Sequence, residues 1–241
     1  MRTLYKNYKE RYFLLFIFLF STTLLTIRTF KKVQFKDIIF SGSQKISQED
    51  IVNNSSLNFP SRLIFIKTKF IEEELKKNLS LEKISINRQI IPFGLNISIK
   101  KRKPVAYGER LKDGKNLLGF IDKNGHFITE KYSDQNYKKG IKIKVFGWEE
   151  KYRDLVAEIL TSSNTEEVEL KSITFSKNGF LTLEEEDLKT IVLGFNSNII
   201  KKQMLIIKNL KKQLVQENIK EKILNIDLTD PNNPKIKVFK P

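Results

Sequence analysis

Cysteine is missing from the chain altogether, and histidine occurs once, at His126. Without thiols there is no disulfide, no zinc–thiolate site and no cysteine nucleophile. With one histidine, a His-ligated metal cluster is excluded, and a Ser-His-Asp triad would have to use His126. That residue follows Asn124-Gly125, a strong hairpin signal, which places it on the strand leaving a turn. No Gly-rich phosphate loop is present, and the residue order assembles no nucleophile–base pair and no metal spacing. These absences leave no catalytic residue, no metal and no cofactor to assign. Alanine is also absent before Ala106, which bears on the start of the chain.

What the start does have is a long uncharged run, Tyr12 to Ile27, preceded by Arg2, Lys6, Lys9 and Arg11. A bilayer core of ~30 Å needs roughly 20 helical residues. Extending the run to Phe30 gives about 28 Å at ~1.5 Å per residue. Tyr12 marks one end of this span, Leu19 its middle and Ile27 its far end, with Arg28 placed to snorkel. Tyr5, Tyr8 and Tyr12 fit an aromatic interfacial belt. A cleaved signal peptide is the rival reading, but no A-x-A-like site follows the run, and Ser21-Thr22-Thr23 is a weak substitute. We therefore expect an uncleaved transmembrane anchor. Flanking charge does not orient it, because Arg28, Lys31, Lys32 and Lys36 balance the residues before the run. The short segment before the anchor and the long part after it suggest that the bulk is translocated.

The net charge of +16 would suit nucleic acid or an anionic bilayer. Its lysines, however, are spread along every segment and form no single stripe, and the anchor argues against nucleic acid. Apolar content of 40% and charged content of 30% describe globular material after the anchor rather than a disordered tail.

From Val33 the pattern is that of a small α+β domain. "VQFKDIIFSG" reads as a strand ending at Gly42. Ser47 and Asp50 then give a capping-box-like helix start. After the short apolar run "RLIFI", Ile71, Leu75 and Leu79 recur at helical spacing. "LEKISINRQI" and "LNISIKKRKPVAYG" follow as strands around a Pro92-Phe93-Gly94 turn. The order is strand, helix, helix, strand, strand.

A second region begins near Pro104. It reads as a strand pair around Asn124-Gly125, a strand at "GIKIKVFGW", and a helix with Tyr152, Leu155, Val156, Ile159 and Leu160 on one face. Three strands follow, turning at Asn178-Gly179 and at Glu184 to Asp187. A helix with Ile200, Met204, Ile207, Leu210 and Leu214 on one side precedes a final hairpin. In that hairpin Leu224, Ile226 and Leu228 alternate with Asn225, Asp227 and Thr229, and Asp230-Pro231 opens the turn. On the return strand Ile236 and Val238 are expected to face the core, with Lys235, Lys237 and Phe239 outward. A carboxylate hydrolase would have to draw on Asp122, Asp187, Asp227 and Asp230. Each is better explained as a turn or strand-edge polar residue.

Taken in order, "IIFSG", "RLIFIKTKFIEEEL", "KRKPVA", "FIDKNGHFI", "IVLG" with its Lys-rich helix, and "NIDLTDP" resemble the FtsQ/DivIB family of bacterial cell-division proteins. Lys101 stands where that family usually has an acidic residue, and Thr229 where it usually has arginine. The resemblance implies an α+β chain: a cytoplasmic segment 1–11, a transmembrane signal anchor 12–30, a POTRA domain 33–103 (β-α-α-β-β), and a mostly antiparallel β-sheet domain with covering helices, 104–241. It further implies a non-catalytic bitopic scaffold of the divisome in the cytoplasmic membrane, enriched at the septum, that helps control septal peptidoglycan synthesis. The implied partners are small coiled-coil proteins of the FtsB, FtsL and DivIC type, with other divisome membrane proteins reached through the POTRA domain. A POTRA-containing envelope assembly or secretion factor is the alternative, although the stretch after Pro104 is too short for a typical barrel. The functional reading of the final strand, Lys235, Ile236, Lys237, Val238 and Phe239, is a sheet edge that offers its backbone to a partner strand, with Phe239 as side-chain anchor.

Overall fold

The computed structural model describes residues 2–42, 46–112, 114–132, 140–177, 180–216 and 223–238. The chain divides into two compact units, Met1–Lys101 and Arg102–Pro241.

The first unit opens with α1 (Arg2–Phe30), whose Glu10–Phe30 stretch is long and apolar enough to cross a membrane. Tyr12, Leu19 and Ile27 are all exposed on it. The hydroxyls of Ser21, Thr22, Thr23, Thr26 and Thr29 donate to carbonyls three or four residues back. A bilayer core would therefore meet no unpaired hydroxyl among them.

Beyond α1, the stretch expected as one strand is broken. β1 (Lys32–Val33) gives way to a 3₁₀ turn at Phe35–Asp37, and only then does β2 (Ile38–Ser41) begin. The Asp37 carboxylate causes the break, since it accepts the Gln34 N–H (2.9 Å) and closes the turn. α2 (Gln48–Asn53) starts at the Ser47–Asp50 capping box, with both reciprocal bonds present. β3 (Ser61–Arg62) pairs antiparallel with β1 and runs into a 3₁₀ turn, Leu63–Phe65. α3 (Thr68–Asn78) buries Ile71 and Leu75, with Leu79 buried just past its end. β4 (Leu81–Gln89) and β5 (Gly94–Lys101) complete a three-stranded sheet in the order β2-β5-β4, with β2 parallel to β5. Leu95, Ile97 and Ile99 fill the helix-covered face of β5, as the alternation predicts.

The stretch "LNISIKKRKPVAYG" is likewise divided. β5 ends at Lys101, and β6 (Pro104–Lys112) belongs to the second unit. There it pairs antiparallel with β7 (Lys115–Asp122), which turns through Asn124-Gly125 into β8 (Phe127–Thr129). β9 (Ile143–Phe146) leads through a 3₁₀ turn at Glu150–Tyr152 to α4 (Arg153–Thr165). Leu155, Val156, Ile159 and Leu160 of α4 are buried, while Tyr152 stacks on Phe175 (4.3 Å between ring centroids). β10 (Leu170–Phe175), β11 (Leu181–Glu185) and β12 (Lys189–Leu193) follow, then α5 (Ile200–Gln216), β13 (Ile223–Asp227) and β14 (Lys235–Val238). Asn178 and Gly179, the expected turn between β10 and β11, lie outside the described residues.

The described strands of this unit form one mixed sheet in the order β14-β13-β12-β11-β10-β9-β6-β7-β8. Most neighbours are antiparallel; β9 runs parallel to both β6 and β10, and β12 parallel to β13. Ile173, Leu181, Leu183 and Ile191 join the α4 and α5 side chains in one buried cluster. The helices cover that face, and Thr182, Glu184 and Val192 lie on the more open side.

One buried ion pair and one partly buried cluster brace the sheet. Arg102 Nη1 lies 2.6 Å from Asp122 Oδ2, and Asp122 Oδ1 also accepts the N–H groups of Asn124 and His126 (2.9 Å each). Lys211 Nζ bridges Glu185 (2.7 Å) and Asp187 (3.0 Å). The Glu185 carboxylate in turn accepts the N–H groups of Asp187 and Leu188.

Candidate partner-binding edge

A sheet of this kind has two edges, and they are treated differently. At one, β8 has Phe127 and Ile128 buried. At the other, all four residues of β14 are exposed.

The β13–β14 hairpin is built from short-range bonds. Asp227 Oδ1 accepts the N–H (2.9 Å) and the hydroxyl (2.7 Å) of Thr229, and Asp230 Oδ1 accepts the Asn232 N–H (2.9 Å). Leu228 is held on both sides: its N–H donates to the Val192 carbonyl (2.9 Å), and its own carbonyl accepts from Gln203 Nε2 of α5 (2.7 Å). The amide and hydroxyl of Thr229, with a smaller contribution from Lys235, hold the Asp227 carboxyl below its usual range. These bonds are therefore intact above the ordinary aspartate pKa and are lost as pH falls through the depressed value. We expect the Thr229 amide resonance to titrate with a midpoint below that of a free aspartate. A midpoint at or above the free value would show that the carboxylate is not bound this way.

The expectation that Ile236 and Val238 face the core needs correction. Each lies opposite a buried residue of β13, Ile226 and Ile223 respectively, and so on the helix-covered side of the sheet. Both nevertheless remain open, at 37% and 41% exposure. The helix side chains of the core cluster meet Ile223, Ile226 and Leu228, and β14 extends past that cover. Leu224 was expected to be buried with Ile226 and is instead exposed. A register shift between Ile223 and Asn225 flips the alternation there, so Ile223 takes the inward place. Two consecutive apolar residues at the head of an alternating strand were the readable sign of that bulge. Lys235 and Lys237 lie opposite Asp227 and Asn225 on the other side. Phe239 lies outside the described residues.

Asp122 and Asp187 do not join the hairpin aspartates, and the Asp227 and Asp230 carboxylates are each taken up by N–H groups of their own turn. Asp122 is tied to Arg102 at the end of β7, four strand steps from β11, a lateral separation on the order of 19 Å. Asp187 is tied to Lys211 before β12. Asp227 sits level with Val192 on the parallel neighbour β13, three strand residues beyond Lys189, or about 10 Å from the start of β12. Paired carboxylates for glycoside hydrolysis stand about 5–9.5 Å apart. Burial, and after it Arg102, lowers the pKa of His126, so its imidazole is neutral near pH 7. Among the described residues, no three of His, Cys, Asp and Glu group as metal ligands.

What this edge can do chemically is bind: it offers backbone donors and acceptors beside an uncovered apolar strip. Comparison with known families matches residues 33–102 to the POTRA domain, FtsQ-type. No curated protein matches the chain.

Proposed function

We propose that this chain, a division-related protein by its FtsQ-type POTRA domain, is a non-catalytic bitopic scaffold of the bacterial divisome. On this reading α1 anchors it in the cytoplasmic membrane, and the residues after Phe30 lie outside the cytoplasm and gather at the septum. Through β14 it holds small coiled-coil proteins of the FtsB and FtsL or DivIC type, and so helps control septal peptidoglycan synthesis. The POTRA unit contacts other divisome membrane proteins. The FtsQ-type POTRA family is generally non-catalytic.

The observation that carries the reading is the open β14 edge. A strand laid against it gains main-chain hydrogen bonds, while Ile236 and Val238 give its side chains an apolar seat. Phe239, next along, is the proposed further anchor. Lys235 and Lys237 bear on partner choice. Pairing of like strands from two copies can bring lysines together, which is unfavourable, whereas an acidic strand is matched.

The test is co-purification of the full chain from native membranes. Small single-pass coiled-coil proteins should be recovered. Recovery of nucleic acid alone, or of a β-barrel complex, overturns the scaffold. In the variant Ile236→Asp with Val238→Asp, loss of interface centre residues should weaken recovery about 30-fold, the ~2 kcal/mol of a binding hot spot. Membrane insertion and Trp148 fluorescence should be unchanged. Phe239→Asp should act the same way, and unchanged recovery would remove Phe239 from the site.

A further inference from the structure

The apolar run of α1 ends at Ile27, and Arg28 is the next residue. Arg28 Nη1 donates to the Ile90 carbonyl (3.1 Å), which puts the 90–93 turn at the depth of Arg28. Three residues on, the Lys31 carbonyl accepts the Leu63 N–H (3.2 Å), and β1 then pairs with β3, setting Lys32 opposite Arg62. Both the 90–93 turn and the Leu63–Phe65 turn are thus bonded to the chain within about one helical turn, ~5 Å, of where α1 leaves the hydrocarbon. The headgroup region on each side of a bilayer is about 5–8 Å deep.

These two turns carry apolar side chains that the domain leaves bare. Phe65 is 66% exposed and Ile91 76%, with Ile64 and Phe30 also open. Basic residues surround them: Arg28, Lys31, Lys32, Lys36, Arg62 and Lys67, against one acid, Asp37, in residues 28–37 and 61–67. Asp37 is itself engaged with the Gln34 N–H. Lys31 lies over the Phe93 ring, 4.8 Å from its centroid, the posture of an amphipathic pair at a wet boundary. At the opposite end of the sheet Lys100 pairs with Glu82 at 2.6 Å.

We propose that the Leu63–Phe65 and 90–93 turns dip into the headgroup layer of the leaflet from which α1 emerges, so that the POTRA unit lies on an anionic membrane. Phe65 and Ile91 supply the buried apolar tips, and the six basic side chains supply the attraction to phosphate. The proposal rests on the reading of α1 as a membrane span. It deepens the scaffold reading by making the POTRA unit a footplate with a fixed tilt.

The cysteine-free chain allows a direct test on the full protein. Phe65→Cys, Ile91→Cys, Leu19→Cys and Lys83→Cys, each labelled with nitrobenzoxadiazole, are reconstituted in vesicles with nitroxide-bearing acyl chains. Lys83 stands six residues along β4 from Gln89, about 20 Å towards the far end of the sheet. With phosphatidylglycerol present, labels at Phe65 and Ile91 should be blue-shifted and quenched by the nitroxide lipid, and the Lys83 label should be neither. On phosphatidylcholine alone, the shift at both should shrink. Labels at 65 and 91 that match Lys83 while Leu19 is quenched would overturn the footplate alone and leave those side chains to a protein partner. An unquenched Leu19 label would overturn the anchor and the footplate together. Undiminished quenching on phosphatidylcholine would remove the anionic lipid from the proposal.

Discussion

Arg102→Leu is expected to lower the stability of the Arg102–Pro241 unit by about 3–5 kcal/mol, the cost of stripping one partner from a buried ion pair. The side chains of Arg102 and Asp122 are 8% and 5% exposed, so the orphaned carboxylate has little water to turn to. Its two remaining partners, the N–H groups of Asn124 and His126, bond only the other oxygen, Oδ1. Trp148 is the single tryptophan of the chain, and its indole N–H donates to the Gly125 carbonyl (3.0 Å) in the same turn. Urea unfolding of the detergent-solubilised protein, followed by Trp148 fluorescence, therefore reads the right place. The double variant Arg102→Leu with Asp122→Leu should recover much of the loss, because no charge is then left stranded. A midpoint for Arg102→Leu equal to that of the wild type would mean that the pair is solvated.

Gly125→Ala should cost about 2–5 kcal/mol, and the same fluorescence transition measures it. Two terms add: about 1–2 kcal/mol for an L residue in the left-handed region, and about 1–3 kcal/mol for overpacking. Gly125 has φ +75°, and a Cβ there would fall 2.0 Å from the Arg153 carbonyl oxygen and 3.2 Å from the Ala157 nitrogen. Both are backbone atoms of α4, so no flexible side chain can swing aside. Gly114 separates the two terms. It has nearly the same φ, +74°, but open space where its Cβ would go, so Gly114→Ala should show only the smaller cost. Equal losses at the two positions would mean that the clash with α4 is relieved without penalty.

Local patterns in the chain mapped onto structure where the determining contacts were themselves local. The Ser47–Asp50 capping box, the Leu95-Ile97-Ile99 alternation and the 3.6-residue spacing of Ile200, Met204 and Ile207 each depend on neighbours a few residues away. Asp37 was the local feature whose effect went unread: its carboxylate reaches back three residues and breaks an otherwise unremarkable strand. The placement of β9 between β6 and β10, parallel to both, is a long-range choice that no periodicity records. Ile236 and Val238 show the limit most plainly. Their alternation with lysine is that of any half-buried strand, since period two says that a strand has two faces and not which face has cover. The aspartates were harder still, because residues that share a sheet in space are scattered along the sequence. The distance of Asp122 and Asp187 from the hairpin pair follows only from strand order.

The exposure of β14 bears on the energetics of the proposed partner binding. None of its four residues is buried, so the core would lose almost nothing if the strand frayed, and its attachment to β13 rests mainly on ladder hydrogen bonds. Such an element belongs to the low end of a protein's ladder of local unfolding free energies. A partner strand would then act as a splint. Part of its gross interaction energy goes into quieting β14, which moderates affinity while the geometry of pairing keeps the contact specific.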